Sequence, residues 1–192
     1  MKTKIVWTRS KDCWNLDKQY FKEVKDEVIH APCIYHESTP LSQADIDIIL
    51  QPRGEPSVFI WTSVRAVKEI SKYDNLLHCI SKSTNYCFGE STAKELAKIN
   101  IHTTTPKKIR SAKSLGIMLK DIITKSSQIF LPGGKNRAYD LMKLFSTHGF
   151  KAYNLNLYKT LINNHDQLIC LSKELFSGKK IVCFASPSSV EG

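Results

Sequence analysis

Five turns in the sequence combine small hydroxyl side chains or glycines with residues that can bind anions. Each follows a short apolar run, so each is predicted to stand at the carboxyl end of a β-strand. Backbone N–H groups and hydroxyls gathered at such ends bind carboxylates or phosphates without a metal ion. The five segments are WTRS at 7–10, WTSVR at 61–65, FGEST at 88–92, LPGGK at 131–135 and ASPSS at 185–189.

Helix capping explains three of these turns equally well. Ser63 and Ser186 each stand where a helix is predicted to begin. Thr92 and Glu95 match the capping box, in which each side chain bonds the backbone N–H of the other residue. The segment at 131–135 matches neither a Walker loop nor a dinucleotide fingerprint, so it is predicted to be a tight turn between a strand and a helix.

The sequence offers little support for nucleophilic or metal-dependent catalysis. It has no G-x-S-x-G elbow and no C-x-x-C pair, and its six histidines are scattered without metal-ligand spacing. The six cysteines lie mostly in apolar runs and are interpreted as free core thiols. We predict no bound metal and no cofactor, and expect any chemistry to depend on positioning a reactive substrate.

Lysine and arginine outnumber aspartate and glutamate by 28 to 18, which gives a formal net charge of +10. This excess favours a polyanionic partner, although lysines on solvated helix faces would produce it as well. Nucleic acid is not the expected partner, because the aromatic residues lie in predicted strands rather than among basic clusters. With no signal peptide and no membrane-spanning apolar run, we expect a cytoplasmic protein that does not enter a membrane.

Apolar runs with strand character alternate with amphipathic helices along the chain. This alternation predicts an α/β fold with parallel sheets covered by helices. The predicted strands are Lys4–Thr8, Val28–Tyr35, Ser57–Trp61, Asn85–Phe88, Ile101–Thr104, Gln128–Leu131, Phe150–Leu157 and Lys180–Ala185. Helices with one apolar face are predicted over Phe21–Val28, Ala112–Ile122 and Ala138–Phe145.

Two short polar breaks, HESTP at 36–40 and KTLINNH at 159–165, enclose a central block about the size of a domain. The flanking segments would then fold together. We therefore expect one discontinuous domain formed by residues 1–35 and 161–192, a second domain over residues 37–158, and crossings near residues 36 and 159.

Taken in order, the motifs resemble uroporphyrinogen-III synthase. The resemblance rests on IVWTR, VFIWTSVRAV, CFGESTAKEL, HGFKAY, LYKT and IVCFASPSSV, which together span essentially the whole chain. It implies two similar α/β domains joined by two extended crossings, with a cleft between them. The family continues beyond the position of Gly192, so the resemblance also implies that the terminal domain is incomplete.

The resemblance implies a hydro-lyase of tetrapyrrole and haem biosynthesis. Its substrate would be hydroxymethylbilane, a polycarboxylate that is cyclised with inversion of ring D to give uroporphyrinogen III, with a hand-off from hydroxymethylbilane synthase. The alternative is a catalytically inactive protein of the same fold that binds a tetrapyrrole or another polyanion.

Tyr158 matches the tyrosine of the family's V-Y-x-T motif. The resemblance gives it the role of assisting departure of the substrate hydroxyl as a hydrogen-bond donor, whereas a lone tyrosine can equally be a packed aromatic residue. The segment at 131–135 lacks the charged residue common in relatives at that strand end. The predicted substrate-binding residues are Thr8, Arg9, Ser63, Arg65, Thr92, Gly134, Ser186 and Ser188.

Overall fold

A computed structural model describes residues 3–51, 55–107, 109–163 and 179–184 of the chain. The chain divides into two compact units, one formed by residues 1–37 and 160–192 and the other by residues 38–159. Each boundary between them lies inside an extended strand. These strands are Ile34–Ser38 (β3) and Lys151–Ile162 (β7).

The first unit contains a three-stranded parallel sheet. Its strands are Lys4–Trp7 (β1), Glu27–His30 (β2) and Lys180–Cys183 (β8), and β1 lies in the middle. Between β1 and β2 the chain forms one short α-helix, Trp14–Asp17 (α1), flanked by 3₁₀ turns at Lys11–Cys13 and Lys18–Phe21.

Two predictions for this region are wrong. The predicted helix over Phe21–Val28 does not form, because Val28 belongs to β2 and pairs with Ile5 of β1. The predicted strand Val28–Tyr35 is divided into β2 and β3, which belong to different sheets. The regular ladder of β2 ends at His30, and Pro32, which has no N–H to donate, stands between the two strands.

The larger sheet has five strands in the order β3-β7-β6-β4-β5. The three strands not yet given are Ser57–Trp61 (β4), Thr84–Cys87 (β5) and Gln128–Gly134 (β6). The pairs β4–β5, β4–β6 and β6–β7 are parallel. The predicted strand Ile101–Thr104 is not formed; Thr104 alone makes a parallel bridge to Tyr86.

Helices cover both faces of the larger sheet. They are Gln43–Leu50 (α2), Val64–Ile70 (α3), Asp74–Lys82 (α4), Glu90–Lys98 (α5), Ala112–Leu119 (α6) and Leu141–Thr147 (α7). The helix predicted over Ala112–Ile122 is thus confirmed with a shorter range, and the one predicted over Ala138–Phe145 is confirmed with its bounds shifted to Leu141–Thr147. Residues of α2 to α5 pack into one apolar cluster, and residues of α6 and α7 pack into another.

Strand β4 shows why both faces need covering. Phe59 and Trp61 pack into the cluster under α2 to α5, while Val58 and Ile60 pack into the cluster under α6 and α7. Alternate residues of a strand point to opposite faces, so a strand that is buried on both sides must be apolar throughout. The continuous run VFIW meets that requirement, and the predicted α/β class with parallel, helix-covered sheets is confirmed.

Candidate active site

A β-bulge in β7 sets the direction of Tyr158. Strand β6 pairs with β7 in parallel register, but Gly133 faces Asn156 whereas Gly134 faces Tyr158, so Leu157 is an extra residue. In a regular strand Leu157 and Tyr158 would point to opposite faces. The bulge turns Tyr158, and both side chains contact the same apolar cluster. The ring is therefore brought to the face of the sheet that carries α3.

Gly134 provides the surface on which the Tyr158 ring lies. A Cβ atom at Gly134 would lie 2.7 Å from Cε2 of Tyr158, which is closer than carbon atoms can approach. Only glycine leaves room for the ring at this point. The prediction of a tight turn at 131–135 is wrong, because β6 continues through Pro132 and ends at Gly134.

Ser63 holds the hydroxyl end of the same tyrosine. It is the N-cap of α3, with its Oγ accepting a bond from the Ala66 amide at 3.4 Å, so the predicted cap is confirmed. The same Oγ lies 3.0 Å from Oη of Tyr158, and either hydroxyl can be the donor of that bond. Ser63 therefore links the beginning of α3 to the phenol.

Arg65 lies beside Tyr158, one residue into the first turn of α3. Its guanidinium carbon is 5.8 Å from the centroid of the Tyr158 ring, within the range of a cation–π contact. Burial lowers the pKa of Arg65, and the electrostatic effects of Glu69 and Tyr158 act in the opposite direction. The structure thus brings together four of the residues named from the sequence: Ser63, Arg65, Gly134 and Tyr158.

Arg137 follows β6 at the same edge of the sheet, and the sequence motifs do not identify it. Its Nη2 donates to the carbonyl oxygens of Leu131 at 2.9 Å and Leu155 at 3.3 Å, and its Nη1 donates to Oδ1 of Asn156 at 2.7 Å. A Cβ atom at Gly133 would lie 3.1 Å from Nε of Arg137. The paired glycines after Pro132 were the sequence signal for such packing. Gly133 leaves space for the Arg137 side chain, and Gly134 leaves space for the Tyr158 ring.

Thr92 is buried in the first turn of α5, at the carboxyl end of β5. The predicted capping box is wrong, because Gly89, with φ of +89°, is the N-cap and the helix begins at Glu90. The Thr92 amide donates instead to the Gly89 carbonyl at 3.1 Å. Since β5 and β4 are parallel neighbours, Thr92 and Ser63 follow strand ends on the same edge of the sheet.

The predicted residues of the first unit make contacts within that unit. Thr8 is buried, and its Oγ1 donates to the Cys183 carbonyl at 2.9 Å. Arg9 donates to Asp17 at 2.8 Å, and the other carboxylate oxygen of Asp17 accepts a bond from Trp7 at 2.9 Å. The Arg9 side chain keeps 47 % of its surface exposed. Ser186 and Ser188 lie outside the described residues.

Within the described ranges, no three His, Cys, Asp or Glu side chains are grouped so that they could hold a metal ion. Over the same part of the chain, every helix is too short or too polar to cross a membrane.

Comparisons with known proteins agree with the motifs. The family model for uroporphyrinogen-III synthase HemD matches residues 18–192. A search of curated proteins gave no significant match. Among solved structures, a mutant uroporphyrinogen III synthase from the extremely thermophilic bacterium Thermus thermophilus superposes with a TM-score of 0.68 at 13% identity, over 98% of this chain and 75% of that one.

The uroporphyrinogen-III synthetase of Helicobacter pylori superposes with a TM-score of 0.62 at 16% identity, over 100% of this chain and 76% of that one. The wild-type Thermus thermophilus enzyme gives a TM-score of 0.56 at 14% identity, over 98% of this chain and 74% of that one. At these identities the structures show a common fold. Because the family model covers most of the sequence, the chain belongs to the uroporphyrinogen-III synthase family, and the family and function predicted from its motifs are confirmed.

Proposed function

We propose that the site around Tyr158 carries out the family's reaction as a hydro-lyase, with hydroxymethylbilane as the substrate and uroporphyrinogen III as the product. The observation that supports this proposal most directly is the tyrosine hydroxyl held 3.0 Å from Ser63 beside the Arg65 guanidinium. A phenol fixed in this way can donate a hydrogen bond to a leaving oxygen. The donor-rich strand ends on the same edge suit a substrate with many carboxylates.

The first chemical step in this proposal is loss of the substrate hydroxyl. Tyr158 donates its proton to the departing oxygen, the C–O bond breaks, and the electrons of the adjacent pyrrole nitrogen form the azafulvene, which keeps its N–H proton and is cationic, while water leaves. The substituted carbon of ring D then attacks to give a spiro intermediate, which reopens and closes in the inverted sense. The proton released when the ring regains aromaticity restores the tyrosine, so the net change is the loss of one water.

Ser63 and Arg65 support the proton transfer. When the Ser63 hydroxyl donates to Oη of Tyr158, it stabilises the negative charge that develops on that oxygen as the proton departs. The positive charge of Arg65 acts in the same direction and can also bind a substrate carboxylate. Both residues are fixed by α3, so the arrangement exists before the substrate binds, which reduces the entropic cost of catalysis.

The other predicted binding residues stay predictions: Thr8, Arg9, Thr92, Ser186 and Ser188. We further propose that Gly134 contributes by supporting the Tyr158 ring rather than by binding the substrate itself. Supply of the bilane by hydroxymethylbilane synthase and a cytoplasmic location belong to the same proposal. The two compact units are proposed to be the two domains expected from the motifs.

Isomer analysis tests the proposal. The purified chain is given hydroxymethylbilane, the products are oxidised, and the porphyrin isomers are separated. We expect the inverted isomer to dominate over the uninverted isomer that forms without an enzyme. If only the uninverted isomer forms while uroporphyrin III still raises the melting temperature, the chain binds tetrapyrroles but does not catalyse the reaction.

A further inference from the structure

The guanidinium of Arg137 is held in one orientation by acceptors on two neighbouring strands. It bonds the Leu131 carbonyl of β6 and the Leu155 carbonyl of β7, and Asn156 accepts a third bond. These three bonds fix the planar head beside the bulge at Leu157.

None of these three acceptors carries a charge. In the described part of the chain, no carboxylate lies within ion-pair distance, 4.0 Å, of Arg137. Burial lowers the pKa of Arg137, and the electrostatic effects of Tyr158 and Asp140 act in the opposite direction. A partly desolvated cation is costly unless an anion accompanies it. The structure thus carries a positive charge that its described protein neighbours do not neutralise.

The guanidinium also keeps donor capacity for a ligand. An arginine has five N–H donors, and the described residues accept bonds from three of them. Nε packs against Gly133, where the absence of a side chain leaves room for the head group. A planar fork with free N–H groups matches the geometry of a carboxylate.

Arg65 reaches the Tyr158 ring from α3, whereas Arg137 packs against Gly133, which points to the opposite face of β6 from Gly134 and the ring. Arg137 nevertheless follows the carboxyl end of β6, and β6 is the parallel neighbour of β4, which Ser63 follows. A substrate carboxylate bound by Arg137 would therefore lie at the same edge of the sheet as the bond between Ser63 and Tyr158.

We propose that Arg137 is a carboxylate-binding residue that anchors one acidic side chain of the tetrapyrrole at the carboxyl end of β6. This inference rests on the proposed function and extends it, because it assigns a subsite to a residue that the sequence motifs did not identify. The bond to Asn156 and the two carbonyl bonds orient the guanidinium before the ligand arrives, so little side-chain entropy is lost on binding.

The first test compares Arg137→Gln and Arg137→Lys with Arg110→Gln, a matched loss of charge at an exposed arginine. Binding of uroporphyrin III, a stable octacarboxylate, is titrated by fluorescence, and KM and kcat are measured with hydroxymethylbilane. We expect Arg137→Gln to weaken binding and raise KM about 10- to 100-fold, as for loss of a charge-assisted hydrogen bond, with a smaller change in kcat. Arg137→Lys should recover part of the loss, and Arg110→Gln should resemble the wild type.

Several results would overturn the assignment. Arg137→Gln could bind uroporphyrin III as well as the wild type does, Arg110→Gln could show an equal loss, or kcat could fall with KM and binding unchanged. The last result would indicate a purely structural role. If the wild type yields no inverted isomer, the proposed function fails, yet the uroporphyrin titration still decides the role of Arg137.

A second measurement needs no variant and covers the case in which Arg137→Gln does not fold. Wild-type protein is treated with phenylglyoxal, which modifies arginines, with and without uroporphyrin III, and the modified sites are located by mass spectrometry. We expect the porphyrin to slow modification of Arg137 several-fold but not that of Arg110. Equal modification of Arg137 in both samples would contradict the proposal.

Discussion

The hydroxyl of Tyr158 lies 3.0 Å from the hydroxyl of Ser63, although 95 residues separate the two in the sequence. Tyr158 comes from β7 and is turned by the bulge at Leu157, whereas Ser63 caps the helix that follows β4. Two local irregularities, a bulge and a helix cap, thus combine to fix one phenol.

Replacement of Tyr158 by phenylalanine removes the phenol oxygen and keeps the ring. We expect the rate of inverted-isomer formation to fall about 10²- to 10⁴-fold, the range typical of a lost proton donor, with little change in the melting temperature. Tyr153→Phe is the matched control, because Tyr153 lies on the same strand and its ring stacks on Phe130 at 5.6 Å. An unchanged rate for Tyr158→Phe would remove the proposed role.

Replacement of Gly134 by alanine should displace the Tyr158 ring. The new Cβ would lie 2.7 Å from Cε2 of Tyr158, so the ring must move and its hydroxyl must leave Ser63. We expect a loss of activity of about 10- to 100-fold, as for a catalytic group shifted by an ångström. If the effect acts through the tyrosine, Gly134→Ala should cause little further loss in a Tyr158→Phe background. Fully additive losses would argue against that route.

The sequence predicted those parts of the fold that depend on continuous apolar patterns. Strand β4 was predicted with its observed bounds, Ser57–Trp61, because a strand buried on both faces is apolar at every position. Ser63 was recognised as a cap for a similar reason, since a hydroxyl before an amphipathic segment is a local signal. Local signals of this kind need no knowledge of the neighbouring strands.

The parts that could not be predicted depend on pairing between distant segments. The bulge at Leu157 exists only in the register between β6 and β7, and no local pattern in β7 marks it. The contacts of Arg137 could not be predicted from the sequence, because its acceptors, including the Leu155 carbonyl, become neighbours only when the strands pair. At Thr92 the capping-box pattern was present in the sequence. Gly89, which adopts a positive φ, is the N-cap instead, so the helix begins earlier, at Glu90.

Asn85 should be important for the stability of the second unit. It is 4% exposed, its Oδ1 accepts the indole N–H of Trp61 at 2.9 Å, and its Nδ2 donates to the Ile80 carbonyl at 2.8 Å. Asn85→Ala would leave a buried donor and a buried acceptor without partners, so we expect a loss of about 2–3 kcal/mol in the free energy of unfolding. Urea denaturation measures the change.

Asn75→Ala is the control for that measurement, because Asn75 is exposed on α4. It should change the free energy of unfolding by less than about 0.5 kcal/mol, as surface substitutions usually do. Similar losses for the two variants would show that the buried network around Asn85 does not stabilise the fold.

A hydrogen bond between a histidine and a threonine joins β3 and β7, the two strands that contain the unit boundaries. Because the histidine titrates, the free energy of unfolding should depend on pH. Nδ1 of His36 on β3 lies 3.1 Å from Oγ1 of Thr160 on β7, and burial lowers the pKa of His36 below its ordinary value of 6.5. The unfolded chain then binds a proton at a higher pH than the folded chain does. The contribution of His36 to stability is therefore complete above the ordinary pKa and decreases as the pH falls from that value to the lower pKa of the folded state.

We expect the free energy of unfolding, measured in urea at about pH 7.5 and about pH 5.5, to decrease less in His36→Gln than in the wild type. His102→Gln, at an exposed position, should keep the wild-type dependence. If His36→Gln kept it too, acid sensitivity would have to come from other groups.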